Sequence, residues 1–139
     1  MIPEGITPEG LNDFSKGCMV EHVGIRFTEV GSDYIKAEMP VDPKTTQPFG
    51  LLHGGASVVL AETLGSVAAS VIVTPLGKMA VGLEISANHI KGKKDGVVTG
   101  MAKPVHIGRS THLWEIRITD EQNQLICLSK ITMAIIDKK

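Results

Sequence analysis

Glu62 is the only charged residue between Gly54 and Val73. A carboxylate inside so apolar a stretch is costly unless it is paired, hydrogen-bonded or open to a cavity. The bland alternative is a Glu on a solvent-facing stripe of a helix. Its helical neighbours at i+3, i+4, i+7 and i+8 are Gly65, Ser66, Ala69 and Ser70, which are small and weakly polar rather than charged. Small residues let a ligand or a second subunit approach closely. Glu62 is therefore read as a working carboxylate, able to attack an electrophilic carbon or to take a proton from water.

Directly upstream, Gln47-Pro48-Phe49-Gly50-Leu51-Leu52-His53-Gly54-Gly55-Ala56 runs into the start of the same apolar stretch. Free backbone N–H groups at a helix start, with the helix dipole behind them, favour a developing negative charge. Gly54 or Gly55 would let a carbonyl oxygen reach those groups, as acyl transfer requires. Taken alone, His53-Gly54-Gly55 reads equally well as a tight turn before a helix. Gly54 and Glu62 are roughly 12 Å apart along one helix. One carbonyl group does not easily touch both. The expectation is a site shared between subunits, with two antiparallel copies of the helix crossing at the small stripe.

Lys91, Lys93, Lys94, Lys103, His106 and Arg109 fall at two adjacent strand ends. They read as a cradle for phosphate groups, with Arg109 the best candidate for forked contacts, or as an ordinary solvated turn. No GxGxxG, P-loop or GxSxG pattern is present. The five histidines form no HExxH pair and no metal-type spacing with the cysteines, so neither a metal nor a cofactor is expected.

The elements that must position these residues follow from periodicity. Residues 7–17 predict a short helix, with Thr7 as N-cap, Pro8 in the first turn and Gly17 as a stop. A long strand is expected over 24–39, with a turn or bulge at Gly31-Ser32-Asp33. After a proline-rich loop comes the apolar helix from Gly54 to Val73. Met79, Val81, Leu83, Ile85 and Ala87 then alternate with Ala80, Gly82, Glu84, Ser86 and Asn88, which is a strand pattern. Further strands are expected at 97–107, 111–119 and 124–136. Short turns make the neighbours antiparallel. The expected architecture is α+β, a curved antiparallel sheet of about five strands wrapped around one long helix.

The chain has 139 residues, 42% apolar and 21% charged, with a net charge of −1. That fits one globular domain spanning 1–139 and argues against nucleic-acid binding. The apolar helix is about the length of a membrane span. Its central Glu62 and the half-polar strands after it speak for a buried helix instead, so no membrane is expected. Cys18 and Cys127 form no disulfide framework and the N-terminus carries no secretory pattern. The expected setting is cytoplasmic.

The stretch QPFGLLHGGASVVLAETLGSVA, with MPVDPKT, VGLEISANHIK and KPVHIG followed by Trp114, resembles the PaaI-like branch of the hotdog-fold acyl-CoA thioesterases. Within that branch it is most similar to the 1,4-dihydroxy-2-naphthoyl-CoA thioesterases of menaquinone biosynthesis and their aryl-siderophore proofreading relatives. The resemblance implies hydrolysis of an acyl-CoA, an aromatic one, in homotetramers built as dimers of dimers, with CoA as part of the substrate and no cofactor. It implies Glu62 as nucleophile or general base. Gly54 N–H and the Gln47 side chain would polarise the carbonyl, His53 would stand near the leaving thiolate, and Ser66 would orient water. Gly82, His89, Ile90, Lys91, Gly92, His106, Ile107, Gly108, Arg109, Ser110 and Thr111 match substrate or CoA contacts. The chain departs from the pattern at Thr63, at the helix end from Ser70 to Pro75 and in the order Gly108-Arg109-Ser110, segments that help shape an acyl pocket. The alternative is a non-catalytic CoA-ester-binding or partner-docking module of the same fold.

Overall fold

The computed structural model describes all residues from Met1 to Lys139. Helix α1 (Pro8–Phe14) starts as expected, the Thr7 side chain accepting from Gly10 N–H at 3.1 Å. It ends earlier than the sequence suggests, at Ser15. A further short helix, α2 (Met19–His22), follows Gly17 at φ +77°. Asn12 ties α1 to the first strand: its side chain donates to Phe27 O at 3.0 Å and accepts from Phe27 N–H at 2.7 Å.

The long strand expected over 24–39 is two strands, β1 (Arg26–Val30) and β2 (Ile35–Pro40), folded back as an antiparallel pair. The Gly31-Ser32-Asp33 signal is thus a hairpin turn rather than a bulge, and the sheet has six strands instead of five. Helix α3 (Gly54–Val73) comes next and a single 3₁₀ turn follows it. Strands β3 (Lys78–His89), β4 (Val97–Ile107), β5 (Thr111–Thr119) and β6 (Leu125–Asp137) complete the chain. The sheet order is β1-β2-β4-β5-β6-β3, antiparallel throughout, so β3 lies at an edge with one side unpaired.

The sheet buries its concave face against α3, with Ile35, Met39, Leu60, Leu64, Trp114, Ile116 and Ile118 in one core. Burial of such side chains stabilises by about 1.5–3 kcal/mol each. Gly65 sets how closely helix and sheet approach, since a Cβ there would lie 2.5 Å from Ile131 Cγ2. Gly65 is therefore taken up by the sheet and Ala69 is buried within the chain, so neither is free for a crossing with a second helix. The sheet also does not surround α3: Ser66, Val67, Ser70 and Val71 are only half-buried on its other side.

The alternation along β3 does not mark a single buried face. A bulge between Gly82 and Glu84 shifts the register against β6. Ala80 and Gly82 before it, and Ile85 and Ala87 after it, stand opposite β6 residues of the core, while Met79, Val81 and Leu83 are exposed. A second bulge lies between Pro104 and His106 on β4. Pro104 lies beyond Ala102, the last β4 residue paired with β2, so the proline sits where the strand has one neighbour.

His112 on β5 is 1% exposed and accepts from Trp114 Nε1–H through Nδ1 at 3.3 Å. Burial, aided by His106, holds its imidazole below the ordinary 6.5. The unfolded chain therefore takes up a proton here first as pH falls, and stability drops below about pH 6.5. His112→Gln keeps an acceptor for Trp114 and does not titrate. In thermal melts between pH 7.5 and 5, we expect the wild-type midpoint to fall more than that of His112→Gln; parallel curves would clear His112 of any part in acid sensitivity.

Candidate active site

His53 is the N-cap of α3, and its Nδ1 accepts from Gly55 N–H at 2.8 Å. The His53 carbonyl accepts from Ala56 N–H and Ser57 N–H at 3.0 and 3.2 Å. His53 N–H donates to Thr45 O at 2.8 Å, so of the four N–H groups that this helix start leaves open, those of His53, Gly55 and Ala56 are occupied. Gly54 N–H alone has no protein acceptor. This helix start thus leaves one donor available for an incoming oxygen, with the dipole of a 20-residue helix behind it.

Gly54 lines a cavity of about 360 Å³ together with Gln47, His89, Ile90, Lys91 and Gly92. Gln47 is half-buried, and its Oε1 accepts from Phe49 N–H at 2.5 Å. That bond engages Oε1 and leaves the amide NH2 as a donor without a protein acceptor. The His89 ring lies over Gly54: a Cβ on Gly54 would come within 2.9 Å of Nε2, so only glycine leaves the N–H approachable. Leu51, Leu52, Ser57 and Ile126 complete the lining. Leu51, Leu52 and Ser57 lie in or directly after the Gln47–Ala56 run but carry no chemistry that marks them, and Ile126 reaches the cavity from β6 with no signal in the sequence.

Glu62 is not in this cavity. It is exposed on α3 and its carboxylate faces β3, where a Cβ on Gly82 would lie 3.0 Å from Oε2. Ser66, one turn on, has its hydroxyl 4.0 Å from Met133 Sδ, and Met133 pairs with both Gly82 and His112. The β4–β5 turn borders this second region: Gly108 N–H donates to Thr111 O at 2.8 Å and Ser110 O accepts from Ile135 N–H at 2.9 Å. Gly82, His106, Ile107, Gly108, Arg109, Ser110 and Thr111 therefore belong with Glu62 and Ser66. Gln47, His53, Gly54, His89, Ile90, Lys91 and Gly92 form the other group, at the far end of β3.

The basic residues divide in the same way, so the single cradle read from sequence is two within one chain. Lys93 is held by Glu121 at 2.7 Å, and Lys91 faces Asp120 at 3.5 Å and Gln124. Lys103 lies 3.9 Å from Asp33. Arg109, on the β4–β5 turn, is exposed and makes no ion pair, which leaves its guanidinium fork open.

One chain thus carries two groups able to donate to a carbonyl oxygen at the His89 end of β3, and a carboxylate against Gly82, seven residues back along the strand. The pattern of the thioesterase superfamily matches residues 49–127, which include both. The 1,4-dihydroxy-2-naphthoyl-CoA hydrolase of Escherichia coli is 50% identical over 94% of this chain and 96% of its own length. The proofreading thioesterase EntH of Cronobacter sakazakii is 51% identical over 94% of this chain and 95% of its own. The crystal structure of a thioesterase from Haemophilus influenzae superposes with a TM-score of 0.94 at 45% identity, covering 99% of this chain and 96% of that one. Donor pair, carboxylate, fold and relatives converge, and the chain belongs to the thioesterase superfamily as a hotdog-fold enzyme that hydrolyses thioesters.

Proposed function

We propose that this acyl-CoA thioesterase acts on an aromatic acyl-CoA at a site completed by two copies of the chain. The observation that carries the reading is the lone free N–H of Gly54, facing the same cavity as the Gln47 amide. Those two donors fit a thioester carbonyl oxygen and strengthen as attack places negative charge on it. Glu62 supplies the other half, either adding to the carbonyl carbon or taking a proton from the water that adds. The C–S bond then breaks and CoA leaves as the thiol once protonated; if Glu62 itself has added, water next cleaves the acyl–Glu62 anhydride, and by either route the acyl group leaves as the carboxylic acid with Glu62 restored.

The two halves meet if β3 pairs with β3 of a second copy. Its unpaired edge is 12 residues long and rich in exposed apolar side chains, a surface that soluble proteins normally cover. Antiparallel pairing about a two-fold axis reverses one strand against the other. The stretch around Gly82, with Glu62 and Arg109, then adjoins the His89 end of the second copy, with Gly54 and Gln47. This replaces helix crossing at the small stripe as the route to a shared site. His106 to Thr111 would join Lys91 and Gly92 around one CoA. The half-buried side of α3 leaves surface for a further pairing into a dimer of dimers. No resident cofactor is needed, and a cytoplasmic setting goes with a CoA-ester substrate and reduced thiols.

An apolar groove of about 150 Å³ between α1 and α3 begins at Ser66, one turn from Glu62, and is lined by Leu11, Phe14, Val67 and Val71. Its size and character suit a ring. The E. coli relative is named for an aryl ester, 1,4-dihydroxy-2-naphthoyl-CoA, which supports the same class. Thiol release from a panel of 1,4-dihydroxy-2-naphthoyl, benzoyl, phenylacetyl and straight-chain CoA esters tests it. We expect the aryl esters to lead by about tenfold or more in kcat/KM. A straight-chain ester in first place would remove the aromatic assignment, and no release from any ester would favour a binding module.

A further inference from the structure

Glu121, in the turn between β5 and β6, belongs neither to the core nor to either half of the site. Its carboxylate is nonetheless committed twice across the loop that joins β3 to β4. Oε1 takes the Lys93 ammonium at 2.7 Å, and Oε2 accepts from Val97 N–H at 2.9 Å. Gly96 makes room for it: a Cβ there would lie 2.0 Å from Oε2. The Lys93 side chain is only 14% exposed, so this lysine is fixed rather than free to reach a ligand. Beside it, Asp120 accepts from Gln122 N–H and Gln124 N–H at 2.9 and 2.8 Å, which sets the turn itself.

The clamp reaches the cavity through the backbone. Lys93 directly follows the wall His89–Gly92, and its carbonyl accepts from Leu52 N–H at 2.7 Å. Leu51 and Leu52 form the opposing wall, and Leu51 Cδ1 lies 3.5 Å from where a Cβ on Gly92 would be. Both walls therefore meet at Lys93. The ion pair with Lys93, supported by backbone N–H groups, holds the Glu121 carboxyl down at about 2 against an ordinary 4.5. As for any carboxylate with a depressed value, its contribution is complete above about pH 4.5 and is lost as pH falls toward 2.

We propose that Glu121 is a positioning residue for the CoA-ester cavity: by clamping Lys93 and Val97 it sets the spacing of the two walls without touching substrate. The inference rests on the reading that this cavity receives the ester. The rival role is electrostatic, with Glu121 merely neutralising a lysine that would otherwise attract CoA phosphates. The two roles predict opposite signs.

Glu121→Gln keeps the shape and an acceptor for Val97 N–H but loses the ion pair. Amide hydrogen exchange provides the first readout, because it does not depend on hydrolysis. Leu52 and Ile90 amides should exchange about tenfold faster than in the wild type, with Leu60 and Leu64 unchanged. Unchanged exchange at Leu52 overturns the clamp whatever the substrate proves to be. Steady-state kinetics provide the second: KM for the preferred ester should rise about fivefold with kcat within twofold. Adding Lys93→Met to Glu121→Gln should cost nothing more, since the pair acts as a unit. A lower KM in Glu121→Gln assigns the neutralising role and overturns ours. Asp137→Asn, which breaks the Lys78–Asp137 pair at the other end of β3, should leave both readouts unchanged; equal loosening there would also overturn it.

Discussion

Glu62→Gln should lower turnover about 10³-fold while KM stays within a few-fold, since a positioned nucleophile or general base contributes on this scale. The substitution is isosteric and removes only the charge and its basicity. Glu62 is exposed on α3 and makes no ion pair, so stability should move by no more than about 0.5 kcal/mol. Loss of activity can then be read as loss of chemistry. Binding should survive, because the carbonyl donors Gly54 and Gln47 and the basic residues of the far group are untouched. Thiol release under saturating ester, with a thermal melt as the folding control, measures both quantities. Turnover near that of the wild type would take Glu62 out of the mechanism.

Two separately inactive variants should restore activity when mixed. Gln47→Ala removes one of the two proposed carbonyl donors and should cost about 10²-fold. Refolded alone, Glu62→Gln and Gln47→Ala each carry a lesion in every site. Refolded together at equal concentration, half of the dimers are mixed. If Glu62 and Gln47 meet across the interface, each mixed dimer holds one site with both lesions and one with neither. About a quarter of wild-type activity should then return, which is far above either parent. If instead one chain supplied both residues to its own site, every site would keep a lesion and nothing would return. The roughly 12 Å between Gly54 and Glu62 along α3 is the reason to expect recovery.

Much of the proposed site is legible in the linear order. A single carboxylate in an apolar helix, a glycine pair after a histidine at the helix start, and Gln47 upstream are local features whose chemistry does not depend on the rest of the chain. The N-cap of α1, the extent of α3 and the last three strands are likewise read within a residue or two, because capping residues, turn residues and apolar period are local signals.

Long-range packing decided the rest. Gly65 and Ala69 look in sequence like a contact stripe for a ligand or a second helix, but Ile131 and Ile116 on the sheet pack against Gly65, and Ala69 is fully buried. The regular alternation from Met79 to Ala87 suggests one buried face, yet the bulge at Leu83 divides it between faces, and a bulge leaves no mark in a pattern of apolar residues. Lys93 and Glu121 are 28 positions apart, and nothing in either residue type announces that they close one cavity wall. Position along the chain determined which groups are available for thioester chemistry. Which of them lie together, and that Glu62 faces Gly82 while Gly54 lies under His89 farther along an open strand edge, followed only from how the sheet folds over the helix, because that spacing is set by contacts between residues far apart in sequence.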